Sequence, residues 1–114
     1  MDSIINGNLE NYFKNNLDKR GWFMGNFIEK NSIFHNKKFE MRWAMHKKGE
    51  KKDPPAMNKK SKTISILIKG KMLLKFPLEK KQIILSKQGD YVSWENGIYH
   101  GSEMLEDSIV LTIR

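Results

Sequence analysis

The fold of this chain is constrained most by one segment, Gly89–His100, with the sequence GDYVSWENGIYH. It begins with a Gly-Asp turn, continues as a short strand, turns again at Gly97 and ends in a strand that carries one histidine. Glycine supplies the backbone freedom that tight turns need, and the aromatic and β-branched residues between the turns favour extended structure. We therefore predict two short strands here, the second of which carries His100.

The chain keeps this character from about residue 20 onward. Short runs of Ile, Phe, Trp, Val and Leu are separated by Gly, Pro, Asn and Lys, a pattern typical of an antiparallel sandwich or barrel. The predicted strands are Trp22–Ile28, Phe39–His46, Thr63–Lys69, Lys71–Phe76, Gln82–Leu85, Tyr91–Trp94, Ile98–Ser102 and Ser108–Ile113. One short helix is predicted at Leu9–Leu17, and the link at Gly70 is too short for anything except a tight hairpin or a bend.

Alternation within two of these strands separates polar from apolar faces. One face of Phe39–His46 carries Glu40, Arg42, Ala44 and His46, and one face of Thr63–Lys69 carries Thr63, Ser65 and Leu67, opposite Ile64, Ile66 and Ile68. The pattern fits a half-buried strand. It equally fits a barrel strand whose polar face lines a cavity while its apolar face packs on a neighbouring sheet or subunit.

The net charge of +8 comes almost entirely from Lys37–Lys62. This segment contains ten basic residues and only three acidic ones, Glu40, Glu50 and Asp53. The favoured interpretation is a solvated lysine-rich loop with a turn at Asp53-Pro54-Pro55, and the alternative is a patch for phosphate, carboxylate or nucleic acid. The chain has no cysteine, which excludes disulfides and thiolate chemistry. With no signal-peptide pattern and no run of about 20 apolar residues, we predict a cytoplasmic protein without membrane contact.

The glycine and histidine spacing resembles the second motif of the cupins, which are small jelly-roll barrels. That motif runs Gly, five residues, Pro, one residue, Gly, two residues, His; here Gly89, Gly97 and His100 match, and Glu95 replaces the proline. In the first cupin motif, Gly70 matches the final glycine, which puts Thr63 at the glutamate position. The histidine positions fall within Ala56–Lys59, so the resemblance implies that three of the four usual metal ligands are absent.

The chain is most similar to short single-domain cupins of unsettled function. The shared features are Gly21-Trp22-Phe23, the set Trp43, His46 and Gly49, the set Thr63, Ser65 and Leu67, the Gly-Asp-Tyr-Val turn, and the ending Asp107–Arg114. The resemblance implies an all-β, antiparallel cupin jelly-roll β-barrel over residues 21–114. An extension with at most one short helix would precede it over residues 1–20. It also implies a homodimer, for which Ile64, Ile66 and Ile68 offer an apolar strip.

Few residues are candidates for a site inside such a barrel. The predicted ligand-binding residues are His100, His46, Arg42, Ser65 and Glu40, and Lys51, Lys52, Lys59, Lys60 and Lys62 would favour an anion if their loop overhangs the pocket. A divalent metal is an alternative, held by His100 and His46 with Glu40 or Glu103 as third donor; no cofactor is certain. If no metal is bound, His46 and His100 are partly buried and form hydrogen bonds with Ser65, Thr63 or backbone groups. His35 is predicted at the surface.

The leading functional hypothesis is a binding or sensing module for a small polar or anionic molecule. The alternative is a small enzyme acting on a small acid or sugar, either metal-dependent or using histidine as an acid–base group, of the isomerase or dioxygenase type. Nucleic-acid binding through Lys37–Lys62 is disfavoured, because no recognised nucleic-acid module is present. The sequence leaves open whether the protein is an enzyme.

Overall fold

The computed structural model describes residues 3–114, in which one helix, one 3₁₀ turn and nine strands follow each other along the chain. The helix α1 spans Leu9–Asn15 and the 3₁₀ turn spans Leu17–Lys19. The strands are β1 Trp22–Met24, β2 Met41–His46, β3 Lys51–Ala56, β4 Thr63–Lys69, β5 Met72–Phe76, β6 Lys81–Leu85, β7 Tyr91–Trp94, β8 His100–Met104 and β9 Ser108–Ile113. Among these residues, no helix is long and apolar enough to cross a membrane.

The strands form two antiparallel sheets. The five-stranded sheet has the order β1-β2-β9-β4-β7, and the four-stranded sheet has the order β3-β8-β5-β6. The chain passes repeatedly from one sheet to the other, and their facing sides enclose a common interior, as in a jelly roll. The predicted all-β antiparallel barrel with one short helix is confirmed.

The sequence located most strands but misplaced some ends. The limits of β4, β7 and β9 agree with prediction, and α1 lies within the predicted helix. The first strand ends four residues early, at Met24, because the chain turns there and the Gly25 N–H donates to the carbonyl oxygen of Phe34. The helix begins after Asn8, whose side-chain oxygen accepts from the Asn11 N–H at 3.0 Å.

The strand β3 was not predicted, and the prediction of a loop with a turn at Asp53-Pro54-Pro55 was wrong. Among the described strands β3 pairs with β8 alone, at the edge of its sheet, with Lys52 opposite Ser102 and Ala56 opposite His100. The register is irregular between Lys52 and Ala56. Proline is tolerated at a sheet edge because it removes no hydrogen bond from a central ladder. The basic stretch is therefore partly a wall of the barrel.

The chain changes sheets at Gly70, between β4 and β5. Its φ is +101°, and a side-chain carbon there would lie 2.3 Å from the carbonyl oxygen of Asp107 and 2.3 Å from the Ser108 hydroxyl. Glycine is required both for the backbone conformation and for this close approach. Of the two predicted geometries, the structure has the bend.

Alternation in β4 directs its polar face inward. Thr63, Ser65 and Leu67 are buried, whereas Ile64, Ile66 and Ile68 lie half-exposed on the outside. Part of the interior is filled by an apolar core, made of Leu67, Met72, Leu74, Phe76, Leu85, Val92, Met104 and Val110. The part of the second interpretation that concerns the polar face is correct, since Thr63 and Ser65 face a cavity. The packing of the apolar face on a neighbouring sheet or subunit stays a prediction.

Candidate functional site

The barrel interior contains a cavity of about 680 Å³ between the two sheets, beside the apolar core. Its lining carries seven basic side chains and one acidic side chain. The basic residues are Arg20, Arg42, Lys51, Lys52, Lys59, Lys60 and Arg114, and the acidic residue is Glu50. The cavity is therefore strongly cationic.

Four of the five predicted ligand-binding residues line this cavity: His100, His46, Arg42 and Ser65. The fifth, Glu40, lies beside it, where its Oε1 accepts a 2.8 Å hydrogen bond from Nε of Arg114. The predicted residues are thus brought together, with Glu40 as a partner of an arginine in the lining.

Two predicted residues lie elsewhere. The Glu103 carboxylate is 3.9 Å from the Lys51 ammonium and does not line the cavity, and Lys62 is exposed and 3.9 Å from Glu95. His35 is half-buried, and the prediction of a surface histidine was wrong: its Nδ1 lies 2.7 Å from the carbonyl oxygen of Ile28.

The register of the five-stranded sheet aligns polar side chains across one wall. Arg42 on β2 lies opposite Thr112 on β9, which lies opposite Ser65 on β4. The Ser65 and Thr112 hydroxyl oxygens are 3.1 Å apart and share a hydrogen bond. This row places one guanidinium and two hydroxyls on the same side of the cavity.

The His100 imidazole lies on the opposite sheet, where both ring nitrogens have partners. Nδ1 donates to the carbonyl oxygen of Ile98 at 3.2 Å, and Nε2 accepts from Nζ of Lys52 at 3.2 Å. The ring centroid is 4.5 Å from that of Trp94. Burial lowers the pKa of His100 and the Lys52 charge adds to this, against the hydrogen bond to Ile98. A neutral His100 therefore holds the Lys52 ammonium in the cavity wall.

The His46 imidazole pairs with a carboxylate. Its Nδ1 is 2.8 Å from Oε2 of Glu50. Burial lowers the pKa of His46, with the Arg42 charge acting in the same direction and Glu50 opposing. Burial alone would raise the pKa of Glu50, but hydrogen bonds from His46 and the Lys47 backbone lower it overall. The alternative in which Ser65, Thr63 or backbone groups satisfy the histidines is correct for the backbone, since the Ile98 carbonyl oxygen accepts from His100. The other partners are Glu50 and Lys52, not Ser65 or Thr63.

The side chains present do not fit a metal site. A protein site for a transition metal needs about three converging nitrogen, oxygen or sulfur ligands. Within residues 3–114, no three His, Cys, Asp or Glu side chains are grouped in this way. The ammonium of Lys52 lies against Nε2 of His100 and would repel a cation there. We therefore derive no chemistry through a metal.

Sequence reasoning missed Arg20 and Arg114, which join Arg42 in the lining. The Arg42 Nε donates to the carbonyl oxygen of Arg20 at 2.6 Å, and the guanidinium of Arg114 stacks 4.1 Å from the centre of the Trp22 ring. Burial, then the charges of Arg20 and Arg114, lower the pKa of Arg42 to about 10. The alternation of β9, in which Val110 and Thr112 face the cavity, extends to Arg114 and could have predicted its inward position. For Arg20, within the predicted extension, no comparable signal existed.

The sequence matches no family model, and no curated protein is similar to it by sequence. Solved structures nevertheless share its fold. A cupin-2 domain protein from Shewanella frigidimarina is 13% identical, with 95% of this chain and 92% of that chain covered and a TM-score of 0.61. KdgF from a Halomonas species is 21% identical, with 69% of each chain covered and a TM-score of 0.62. A protein from Neisseria meningitidis is 11% identical, with 96% of this chain and 97% of that chain covered and a TM-score of 0.62. The chain therefore has the cupin fold.

Proposed function

We propose that this protein binds a small anionic molecule inside its barrel. The observation that carries the proposal is the lining of the cavity, where seven basic side chains face one carboxylate. Like charges held together in a partly desolvated space raise the free energy of the empty protein, and an anion relieves that cost while gaining charge-assisted hydrogen bonds. The concave lining favours a small molecule over an extended nucleic acid, which contacts a patch or stripe on a surface.

Three of the predicted residues have a defined role in this proposal. Arg42 supplies a charged donor, Ser65 a hydroxyl from the neighbouring strand, and His100 positions the ammonium of Lys52. Lys52 itself has a pKa below the usual lysine value, first because of burial and then because of the nearby arginines. An anion between these groups would raise that pKa and fix the ammonium more firmly.

The test is a thermal-shift screen of small carboxylates and phosphates, followed by calorimetry on any hit. We expect a hit to raise the Tm by several degrees, and His100→Ala to weaken its binding about tenfold, because Lys52 then loses its partner. Lys75→Gln is the matched control, since Lys75 is exposed on β5 and does not line the cavity. A broad panel without any shift in Tm, or a hit with equal affinity for wild type and His100→Ala, would contradict the proposal.

A second candidate is a metal-free acid–base enzyme, favoured by the pairing of His46 with Glu50. A neutral imidazole that donates from Nδ1 to a carboxylate has its lone pair on Nε2, as a general base requires. The cationic surroundings would stabilise the negative charge that develops when a proton is removed beside a carboxylate. The experiment measures whether the wild type exchanges the proton next to the carboxylate of a bound small acid for solvent deuterium. Exchange by the wild type, and no exchange by His46→Gln, would support this function.

We also propose that two copies pair through the outer face of the five-stranded sheet. Ile64, Ile66 and Ile68 lie there, and the register places Leu111 opposite Ile66 and Ile113 opposite Ile64. Such an apolar row is typical of a surface that another molecule covers. The cytoplasmic location stays a prediction from the sequence.

A further inference from the structure

All three arginines of the chain line the same cavity, although the chain also has eighteen lysines. They come from separate elements: Arg20 follows the 3₁₀ turn, Arg42 lies on β2 and Arg114 follows β9. Lysine and arginine carry the same charge, but arginine presents a planar fork of donors that fits the oxygens of an oxyanion. Their concentration at one place therefore points to recognition of a specific anionic group.

Two of the three guanidinium groups, those of Arg42 and Arg114, are held in position before any ligand binds. Nε of Arg42 is fixed by the Arg20 carbonyl oxygen and Nε of Arg114 by the Glu40 carboxylate, which leaves the terminal amino groups to other partners. Both side chains also lie near the ring of Trp22. The distance from the ring centre to the guanidinium carbon is 4.1 Å for Arg114 and 5.7 Å for Arg42. Stacking and hydrogen bonds of this kind reduce the entropy that ligand binding would otherwise cost.

The charges in this part of the cavity leave a positive excess. Arg20, Arg42, Arg114 and Lys52 contribute four positive charges, and Glu40 and Glu50 contribute two negative charges. The two cavity histidines have lowered pKa values and add no charge at neutral pH. Together with Lys51, Lys59 and Lys60, which also line the cavity, the excess is five positive charges, so a dianion neutralises more of it than a monoanion does.

We propose that the cluster of Arg20, Arg42, Arg114 and Lys52 binds the phosphate group of a small phosphorylated molecule. A phosphate monoester carries close to two negative charges at neutral pH and has three terminal oxygens. Those oxygens point in different directions and accept from donors on three separate elements, whereas a planar carboxylate is satisfied by one fork. The cavity of about 680 Å³ leaves room beyond a phosphate for the organic part, beside Trp94, His100 and Ser102. This inference rests on the proposed binding function.

The test measures the affinity of the purified full chain for defined anions by calorimetry at constant ionic strength. The probes are inorganic phosphate and glycerol 3-phosphate, with acetate as monoanion and succinate as dicarboxylate. We expect both phosphates to bind at least tenfold more tightly than acetate and succinate, and the ester to bind at least as tightly as free phosphate. Tighter binding of succinate would overturn the assignment to phosphate, and binding of free phosphate alone would overturn the assignment to an ester.

Variants then test the arginine cluster itself. Arg20→Gln leaves a folded protein, because that side chain is exposed and its backbone oxygen still accepts from Arg42. We expect it to weaken phosphate binding about tenfold and to raise the Tm of the ligand-free protein through relief of like-charge repulsion. Arg42→Lys keeps the charge but removes the fork and should also weaken binding, whereas Lys75→Gln should change nothing.

The two proposals fail in different ways. Phosphate affinities within twofold of wild type in both Arg20→Gln and Arg42→Lys would overturn the arginine site. If a carboxylate still bound and lost its affinity in His100→Ala, the proposed function would stand without this inference. If none of the phosphates and carboxylates bound, both the proposed binding function and the arginine site for phosphate would be contradicted.

Discussion

Two neutral histidines inside the barrel make stability depend on pH. Because burial lowers the pKa of His46 and His100 in the folded protein, the unfolded chain binds more protons when the pH falls through about 6.5. Stability is therefore complete above that value and declines below it, until the folded pKa values are reached. We expect the Tm to be level between about pH 7.5 and 8.5 and to fall between about pH 6.5 and 5, measured by scanning calorimetry at constant ionic strength.

The matched experiment for this prediction uses the double variant His46→Gln and His100→Gln. Glutamine keeps a hydrogen-bonding group near Glu50 and Lys52 but does not titrate. The decline between pH 6.5 and 5 should become shallower, while any loss below about pH 4.5 should remain, because the lowered pKa values of Glu50 and Asp90 act there. An unchanged slope in the variant would show that other groups cause the decline.

Individual site residues were predictable where a strand pattern carried them. His46 and Arg42 share a face of β2 by alternation, and the same rule places Ser65 inward on β4. Their hydrogen-bond partners do not follow from strand periodicity: Glu50 reaches His46 across the turn between β2 and β3, and Lys52 reaches His100 through the pairing of β3 with β8. Arg20 was missed because its position depends on the way the 3₁₀ turn meets β2, which involves no periodic pattern.

The bend between β4 and β5 depends on Gly70. Gly70→Ala would force an L-residue to adopt a φ near +101°, and its side-chain carbon would collide with the backbone of Asp107. The conformation alone costs about 1–2 kcal/mol for an L-residue, and the collision adds to that. Gly89→Ala is the control, because Gly89 has φ +91° and no atom within 4 Å of the added carbon. Urea unfolding should show a clearly larger loss of stability for Gly70→Ala; equal losses would mean that the close approach contributes nothing.

The edge strand β3 shows where strand prediction from local sequence fails. Its sequence KKDPPA has no apolar alternation, and all six residues are exposed. It is extended because β8 supplies a pairing edge and because prolines are compatible with an edge. Tertiary pairing, absent from any local window, decides the structure here, and it also brings Lys51 and Lys52 to the cavity.

The two sides of the five-stranded sheet give the whole molecule two different surfaces. Its inner side is polar and cationic around the cavity, and its outer side carries isoleucine and leucine from β4 and β9. A sheet face of this kind gains free energy on association, at about 25 cal/mol for each Å² of apolar surface buried. The proposed homodimer follows from the outer side, just as the proposed ligand follows from the inner side.

Ile66→Lys tests the dimer directly. Ile66 lies on the outer face of the sheet, between Leu111 on β9 and Tyr91 on β7. A lysine there can reach solvent in a monomer, but in a dimer each ammonium group would be buried in the interface without a partner. We therefore expect wild type to sediment as a dimer and Ile66→Lys as a folded monomer with unchanged circular dichroism. Ile84→Lys is the matched control, since Ile84 is 54% exposed on β6 of the other sheet, and it should remain dimeric. A monomeric wild type at concentrations of about 100 μM would contradict the proposal, because a face that buries standard interface area associates below that concentration.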